Sequence, residues 1–264
     1  VIVVDDGSVD KTVQIAQSFG VKVVSQSNAG PANARNRGAV EANGEILVFT
    51  DSDCEADTKF LENLCGPLRD NPDIVGAQGR YLTKQKNMIA NFAQFEIEER
   101  YKIYQKNRYI SMIGTYAAAF QKDIFLKNGM FDTSYPIASG EDFAFSGKLA
   151  SKGYKMVFVP EAICYHLHPD NIYCYFRQKY LRAFWRNLLY KNNSEIMIND
   201  NYTPQMLKLQ TALTLLLPIL LILLILFIAI NIDLSIYLFL GWILLFLLSS
   251  VPLLKIILKK SFFL

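Results

Sequence analysis

Ile46–Glu55 reads ILVFTDSDCE, and this stretch decides the fold. Ile46–Phe49 is a short apolar run between Gly44 and an acidic turn, the pattern of a buried central strand. The run stops at Thr50 and delivers Asp51 and Asp53 to the strand's carboxyl end, the edge at which open α/β sheets bind ligands. Residues two apart in an extended segment point the same way, so both carboxylates can face one hard cation. An acidic turn that merely caps the next helix is the competing reading of the same residues.

Upstream, Val1–Val4 reads as a buried parallel strand ending in Asp5-Asp6-Gly7-Ser8. Asp10 is the expected N-cap of a helix from Lys11 to about Phe19, with Ile15, Ala16 and Phe19 on one face and Gly20 as its stop. Val21–Ser25 reads as a second strand. Gly30 and Pro31 then open a helix that runs to Asn43-Gly44. The first fifty residues therefore predict β-α-β-α-β, a doubly wound half-sheet. The chain starts without Met, inside an apolar strand, and reads as a fragment lacking its natural N-terminus.

Downstream the regularity loosens. Helices are expected over Lys59–Leu68, Asn87–Gln105, Asp123–Lys127, Glu141–Lys152 and Tyr173–Tyr190, and strands over Ile74–Tyr81, Ala117–Phe120, Lys155–Val159 and Ala162–His166. The formal charge of +3 over 264 residues gives no nucleic-acid footprint. Four cysteines without C-x-x-C spacing and two histidines argue against a zinc site and suit free thiols in a reducing cytosol. Thr211–Ile230 carries no charge over about 20 residues, the length that crosses a bilayer core, and Leu234–Leu254 is a second such run. Asn231-Ile232-Asp233 is a hairpin turn between them. Lys208 precedes the first run and Lys255, Lys259 and Lys260 follow the second, which places both ends in the cytoplasm. The expected organisation is a domain over 1–190, a linker over 191–210 and a transmembrane hairpin over 211–264.

VIVVDDGSVDKT, GPANARNRG, TDSDC and SGEDFAFSGKLASKGYKMVFVPEA occur in this order, and together they resemble the family 2 glycosyltransferases over roughly residues 1–190. The resemblance implies the GT-A fold, Rossmann-like with a mixed, mainly parallel sheet. It also implies a nucleotide-diphosphate-sugar donor, a divalent metal (Mg2+ or Mn2+) and inverting transfer to an acceptor. It assigns Asp5 and Asp6, more the second, to the nucleotide base, against a reading as turn chemistry. Arg35 takes the A-R-N-x-G position for nucleotide contact at a helix start, whereas Arg37 reads as a solvated helix face. Asp53 matches the direct metal ligand of the D-x-D, and Asp51 a contact to ribose or to a metal-bound water. Asp142 matches the catalytic base of the E-D motif, with Glu141 shaping the acceptor pocket. A helix start is expected to lower the pKa of such an acid. His166 matches a third metal ligand used by some relatives.

Tyr173–Tyr190 interleaves Arg177, Lys179, Arg182 and Arg186 with aromatics, as an interfacial helix or a diphosphate grip would. Gln178 to Arg182, with Trp185 three beyond, does not match the Q-x-x-R-W of processive synthases. The expectation is a multi-pass cell-membrane glycosyltransferase with a cytoplasmic catalytic domain, acting on a lipid-linked or growing glycan acceptor. A processive polysaccharide synthase and an inactive sugar-nucleotide-binding scaffold are its alternatives.

Overall fold

The computed structural model describes residues 1–135, 140–192 and 232–261, with isolated positions between 209 and 222. The chain divides into two compact units, Val1–Tyr202 and Thr203–Leu264.

The first unit runs β1 (Ile2–Asp5), α1 (Thr12–Ser18), β2 (Lys22–Ser25), α2 (Pro31–Glu41), β3 (Ile46–Thr50), β4 (Cys54–Ala56), α3 (Phe60–Asp70), β5 (Ile74–Leu82), α4 (Met88–Gln105), β6 (Ala117–Gln121), α5 (Lys122–Lys127), α6 (Glu141–Ser151), β7 (Lys155–His166) and α7 (Ile172–Asn192). The β-α-β-α-β order is as expected, but the three strands do not share one sheet. β1 and β2 pair in parallel by themselves, while β3 is an edge of a five-stranded sheet ordered β3-β6-β5-β7-β4. There β3–β6, β6–β5 and β7–β4 are antiparallel and only β5–β7 is parallel. The sheet is mixed, as expected, yet mainly antiparallel, because β6 enters between β3 and β5. The helix after Asp10 also departs from expectation. Asp10 accepts the Thr12 N–H at 2.9 Å, but Ile15 and Phe19 are 56% and 77% exposed. A two-stranded sheet offers too narrow a face to cover them.

Two strands expected separately, Lys155–Val159 and Ala162–His166, are the halves of β7. Gln78 lies opposite Phe158, and the next pairing is Arg80 with Ile163, so a bulge through Pro160 joins the halves. Gly79 sits against that bulge. A Cβ there would stand 2.6 Å from the Ala162 carbonyl oxygen and 3.0 Å from the Ala117 Cβ, a collision with backbone. Past the bulge β7 pairs Cys164 with Ala56 and His166 with Cys54, a short strand that the sequence did not reveal.

The core lies between the sheet and α3, α5 and α6 and is rich in phenylalanine. Phe125 packs against Phe49, Phe131 and Phe145 with ring centroids 5.4, 4.9 and 4.9 Å away. This cluster ties the end of β3 to α6, the two elements that carry the acidic motifs.

In the second unit, Thr211–Ile230 falls almost wholly outside the described residues, and Leu234–Leu254 falls within the helix Ile232–Ser261. Of that helix the described side chains are 236, 237 and 239–251. Among the described residues no helix is long and apolar enough to cross a membrane.

Phe125 is fully buried. Phe125→Ala is expected to cost about 3–5 kcal/mol, read as a lowered midpoint in chemical denaturation. A loss far smaller would show that the cluster does not hold β3 to α6.

Candidate active site

The site is built from α2 outward. Pro31 opens the helix, and Asn36, buried within it, exchanges two hydrogen bonds with the Phe131 backbone: its amide nitrogen donates at 2.8 Å and its oxygen accepts at 3.0 Å. That clamp fixes the rotation of α2, and the neighbouring Arg35 is thereby aimed at the end of β3. Its guanidinium donates to Asp51 Oδ1 at 2.9 Å and to Glu141 Oε1 at 2.6 Å. One side chain thus joins the D-x-D turn to the first turn of α6. Burial opposes the Arg35 charge, but Asp51, Glu141 and Asp142 outweigh it and raise its pKa. Arg37, as read from sequence, lies on the solvated face, 3.4 Å from Glu41.

The D-x-D turn is closed by a bond from the Cys54 N–H to the Asp51 carbonyl at 3.1 Å. Asp51 Oδ2 accepts from the Tyr81 hydroxyl at 3.4 Å. Asp53 Oδ2 stands 3.2 Å from His166 Nε2. The hydrogen bond from His166, acting against burial, holds Asp53 below the usual carboxylate range. The Tyr81 ring stacks on Tyr116 and on His166, with centroids 3.7 and 4.5 Å away. Cys54 donates its thiol to the Tyr81 hydroxyl at 3.6 Å, and all four cysteines are free.

Glu141 and Asp142 follow Gly140, whose φ of +113° is one that few other residues adopt; Ser139 lies outside the described residues. Glu141 is 1% exposed and spoken for by Arg35. Asp142 Oδ2 accepts the Thr115 N–H at 3.0 Å, and Oδ1 the Phe143 N–H at 2.8 Å. The residue as a whole keeps some exposed surface, but its carboxyl is enclosed. That burial raises its pKa against the bonds from Thr115 and Phe143 and the Arg35 charge. The direction is opposite to the one expected from a helix start, because desolvation outweighs the helix dipole here.

Asp5 and Asp6 end β1. Asp5 is buried and accepts the Ser8 N–H at 3.1 Å. Asp6 accepts from Gln26 Nε2, Ala29 N and Gly30 N at 2.8, 2.8 and 2.9 Å. Its pKa is lowered, burial being outweighed by these three bonds. Asp6 therefore holds the loop that leads into α2, a role the sequence did not disclose.

Among the described residues no group of three or more His, Cys, Asp or Glu is arranged to hold a metal. Asp53 and His166 nevertheless face one another as one oxygen and one nitrogen donor, and the two oxygens of Asp51 already bond Arg35 and Tyr81. Two protein donors completed by phosphate oxygens and water suit Mg2+ or Mn2+, so the residues fit such an ion. Sequence reasoning missed Tyr81, Asn36 and Thr115. All three act through contacts far apart in the chain and leave no local pattern. His168 carries no motif of its own beyond an H-x-H spacing that puts it two residues from a predicted ligand.

Residues 1–129 match the profile of glycosyl transferase family 2. A cholesterol galactosyltransferase of Borreliella burgdorferi is 36% identical over 84 residues, 30% of this chain and 24% of that protein. A poly-beta-1,6-N-acetyl-D-glucosamine synthase of Staphylococcus epidermidis is 28% identical over 214 residues, 74% of this chain and 51% of that protein. The chain thus spans a quarter to a half of these relatives' length. A mannosyltransferase of Pyrobaculum calidifontis, solved with GDP-Man and Mn2+, superposes with a TM-score of 0.50 at 22% identity, over 66% of this chain and 49% of that one. The first unit thus has a mixed α/β fold of GT-A type, and residues 1–129 within it carry the family 2 glycosyltransferase profile.

Proposed function

We propose that the chain is the catalytic part of a membrane-anchored, inverting glycosyltransferase that moves a sugar from a nucleotide-diphosphate-sugar to a lipid-linked or growing glycan acceptor. The observation that carries this reading is the Arg35 bridge, which brings Asp51 and Glu141, from motifs ninety residues apart, to one guanidinium. The solved mannosyltransferase with GDP-Man and Mn2+ lends support for the donor and the ion.

The nucleotide side is assigned to Asp5, Asp6, Arg35 and Asp51. A carboxylate offers about four acceptor positions, so Asp6, with three bonds in place, keeps room for one ring N–H of a base. Asp53 and His166, with Asp51 beside them, would hold the cation, which supplies Lewis-acid neutralisation of the departing diphosphate. Asp142 receives the proton of the acceptor hydroxyl at a carboxylate oxygen. Its raised pKa makes it a stronger base than an ordinary aspartate. Glu141, held by Arg35, sets the first turn of α6 and so the direction in which Asp142 points.

The membrane part of the proposal rests on the uncharged runs Thr211–Ile230 and Leu234–Leu254 and their flanking lysines. Tyr173, Phe176 and Tyr180, exposed along α7, are the amphipathic side chains expected of an element that lies at headgroup level. A cytoplasmic domain tethered there would meet lipid-phosphate carriers in two dimensions. A second reading, a processive synthase, is favoured by the similarity to the poly-N-acetylglucosamine synthase across most of the chain.

Asp142→Asn keeps the shape and cannot accept the proton. Turnover is expected to fall about 10²- to 10⁴-fold with donor affinity little changed; turnover within a few-fold of the parent would remove Asp142 from the role. The base must be ionised, so the parent's activity should drop as pH falls through the Asp142 pKa. That limb should lie above the range of an exposed aspartate and be absent from the variant's residual activity. A limb at ordinary carboxylate pH would contradict the assignment.

Product length on a defined lipid primer separates the two transfer readings: single additions support the first, and long chains from one binding event the second. For topology, a cysteine placed at position 231 should be labelled only from the outside of sealed cells. Labelling from the cytoplasmic side alone would refute the hairpin.

A further inference from the structure

We infer that Ser146 and Gln78 are positioning residues for the reaction. Together they grip the buried loop 113–115 and hold the Thr115 N–H on the Asp142 carboxylate, which fixes where that carboxylate points. The inference rests on the proposed role of Asp142 as base, and it concerns two side chains to which no motif gives a part.

Residues 113–115 run through the interior just before β6, with Ile113 and Thr115 almost wholly buried. A buried loop must place its backbone N–H groups on acceptors within the protein. Here three consecutive N–H groups find three different side chains. Ile113 donates to Ser146 Oγ at 3.0 Å, Gly114 to Gln78 Oε1, and Thr115 to Asp142 Oδ2 at 3.0 Å. The Thr115 hydroxyl adds a longer contact to the same Asp142 oxygen at 3.4 Å. Ser146 and Gln78 are themselves pinned. The Ser146 hydroxyl gives its one proton to the Asp142 carbonyl at 2.7 Å, so its oxygen is left to accept from Ile113. The Gln78 amide nitrogen donates to the Gly79 and Ala117 carbonyls at 2.9 and 3.1 Å. Both partners accept only, which turns Gln78 Oε1 toward Gly114.

Asp142 is thereby tied to the loop at two places. Its backbone carbonyl is joined to Ile113 through Ser146, and its carboxylate is joined to Thr115 directly. The two ties close a ring between α6 and residues 113–115, and Gln78 anchors that ring to β5. Asp142 Oδ1 accepts from Phe143 on its own helix, so the Thr115 bond is a constraint that comes from outside α6. Gly114 lets the loop pass close to its neighbour. A Cβ there would stand 2.6 Å from Cε1 of the Tyr116 ring, which is itself stacked on Tyr81. Moving a reacting group by about 1 Å can cost about 10²-fold in rate, and that is the scale expected for loss of either grip.

The test uses the full chain and has one readout that needs no turnover. The Thr115 amide proton, bonded to a carboxyl oxygen, should lie downfield in the 1H–15N spectrum of the parent and move upfield in Ser146→Ala and Gln78→Met. In steady-state kinetics with the donor that the parent turns over, each variant should lower kcat about 10- to 100-fold and leave the donor KM unchanged. Added to Asp142→Asn, either substitution should lower the residual rate no further, because a residue that acts through Asp142 then has nothing to position. Circular dichroism checks that the variants fold, and Ser146→Ala, which deletes a single oxygen, serves if Gln78→Met does not. An unmoved Thr115 amide in the folded variants overturns the grip. A kcat equal to the parent's, or a loss that repeats in full on the Asp142→Asn background, overturns the positioning role. If Asp142→Asn itself turns over at the parent's rate, the base assignment of the proposed function falls, while the Thr115 amide still decides whether Ser146 and Gln78 hold the loop.

Discussion

The ion pair of Arg35 with Asp51 and Glu141 is the constraint on which the rest of the site depends. The Arg35 side chain is 15% exposed and that of Glu141 1%, so both charges have left most of their water. A buried pair of this kind returns little net stability, but removing one partner leaves a stranded charge at a cost of about 3–5 kcal/mol. Its value is geometric. Asp51 stands at the end of β3 and Glu141 at the start of α6, and only a fork with donors at fixed separation can hold both. Lysine, a point charge on a flexible stem, would keep the charge and lose the fixed spacing. The clamp from Asn36 to the Phe131 backbone and the phenylalanine cluster behind it keep the fork at the right height.

The second constraint is the bulge in β7. Without it, β5 and β7 would continue in simple parallel register, and His166 would not fall opposite Cys54. Gly79 makes the bulge possible by leaving room for the Ala162 carbonyl. Just beyond it, β5 carries Tyr81, whose hydroxyl reaches Asp51, whose ring covers His166 and whose carbonyl takes the Gln94 amide. One irregularity in a sheet thereby brings Asp51, His166 and the buried residues around them to a single place.

Much of this was legible in the sequence, and the remainder was hidden for a physical reason. Strand β3 and its acidic turn, the order of the first five elements and the helix at Glu141 follow from apolar runs, glycine stops and a β/α period that depend only on near neighbours. The pairing of β3 with β6 instead of β1 does not, because any apolar strand can pair with any other and the choice is made by the whole sheet. Asp6 shows the same limit. D-D-G-S announces a turn, yet its three donors come from Gln26, Ala29 and Gly30, which only the fold brings near. Tyr81 reads as one more strand residue, and its role exists only because the bulge sets it beside His166. The apolar face of α1 was legible too, but the narrow β1–β2 sheet leaves Ile15 and Phe19 exposed.

The carboxylates of the site are pushed in opposite directions, and that divides the labour among them. Asp53 is held low by the His166 hydrogen bond, and Asp6 by the amides of its loop. These two stay ionised at physiological pH, which suits the cation-side position proposed for Asp53 and the loop that Asp6 holds. Asp142 is raised by burial although two N–H groups and the Arg35 charge oppose it. Its raised pKa makes it a better proton acceptor than Asp53 or Asp6, the property that the proposed base needs. Pairs of acids whose surroundings separate their pKa values mark the division between charge-holding and proton-transfer roles. By that criterion the raised Asp142 fits the proton-accepting part proposed for it, and the lowered Asp53 the charge-holding part.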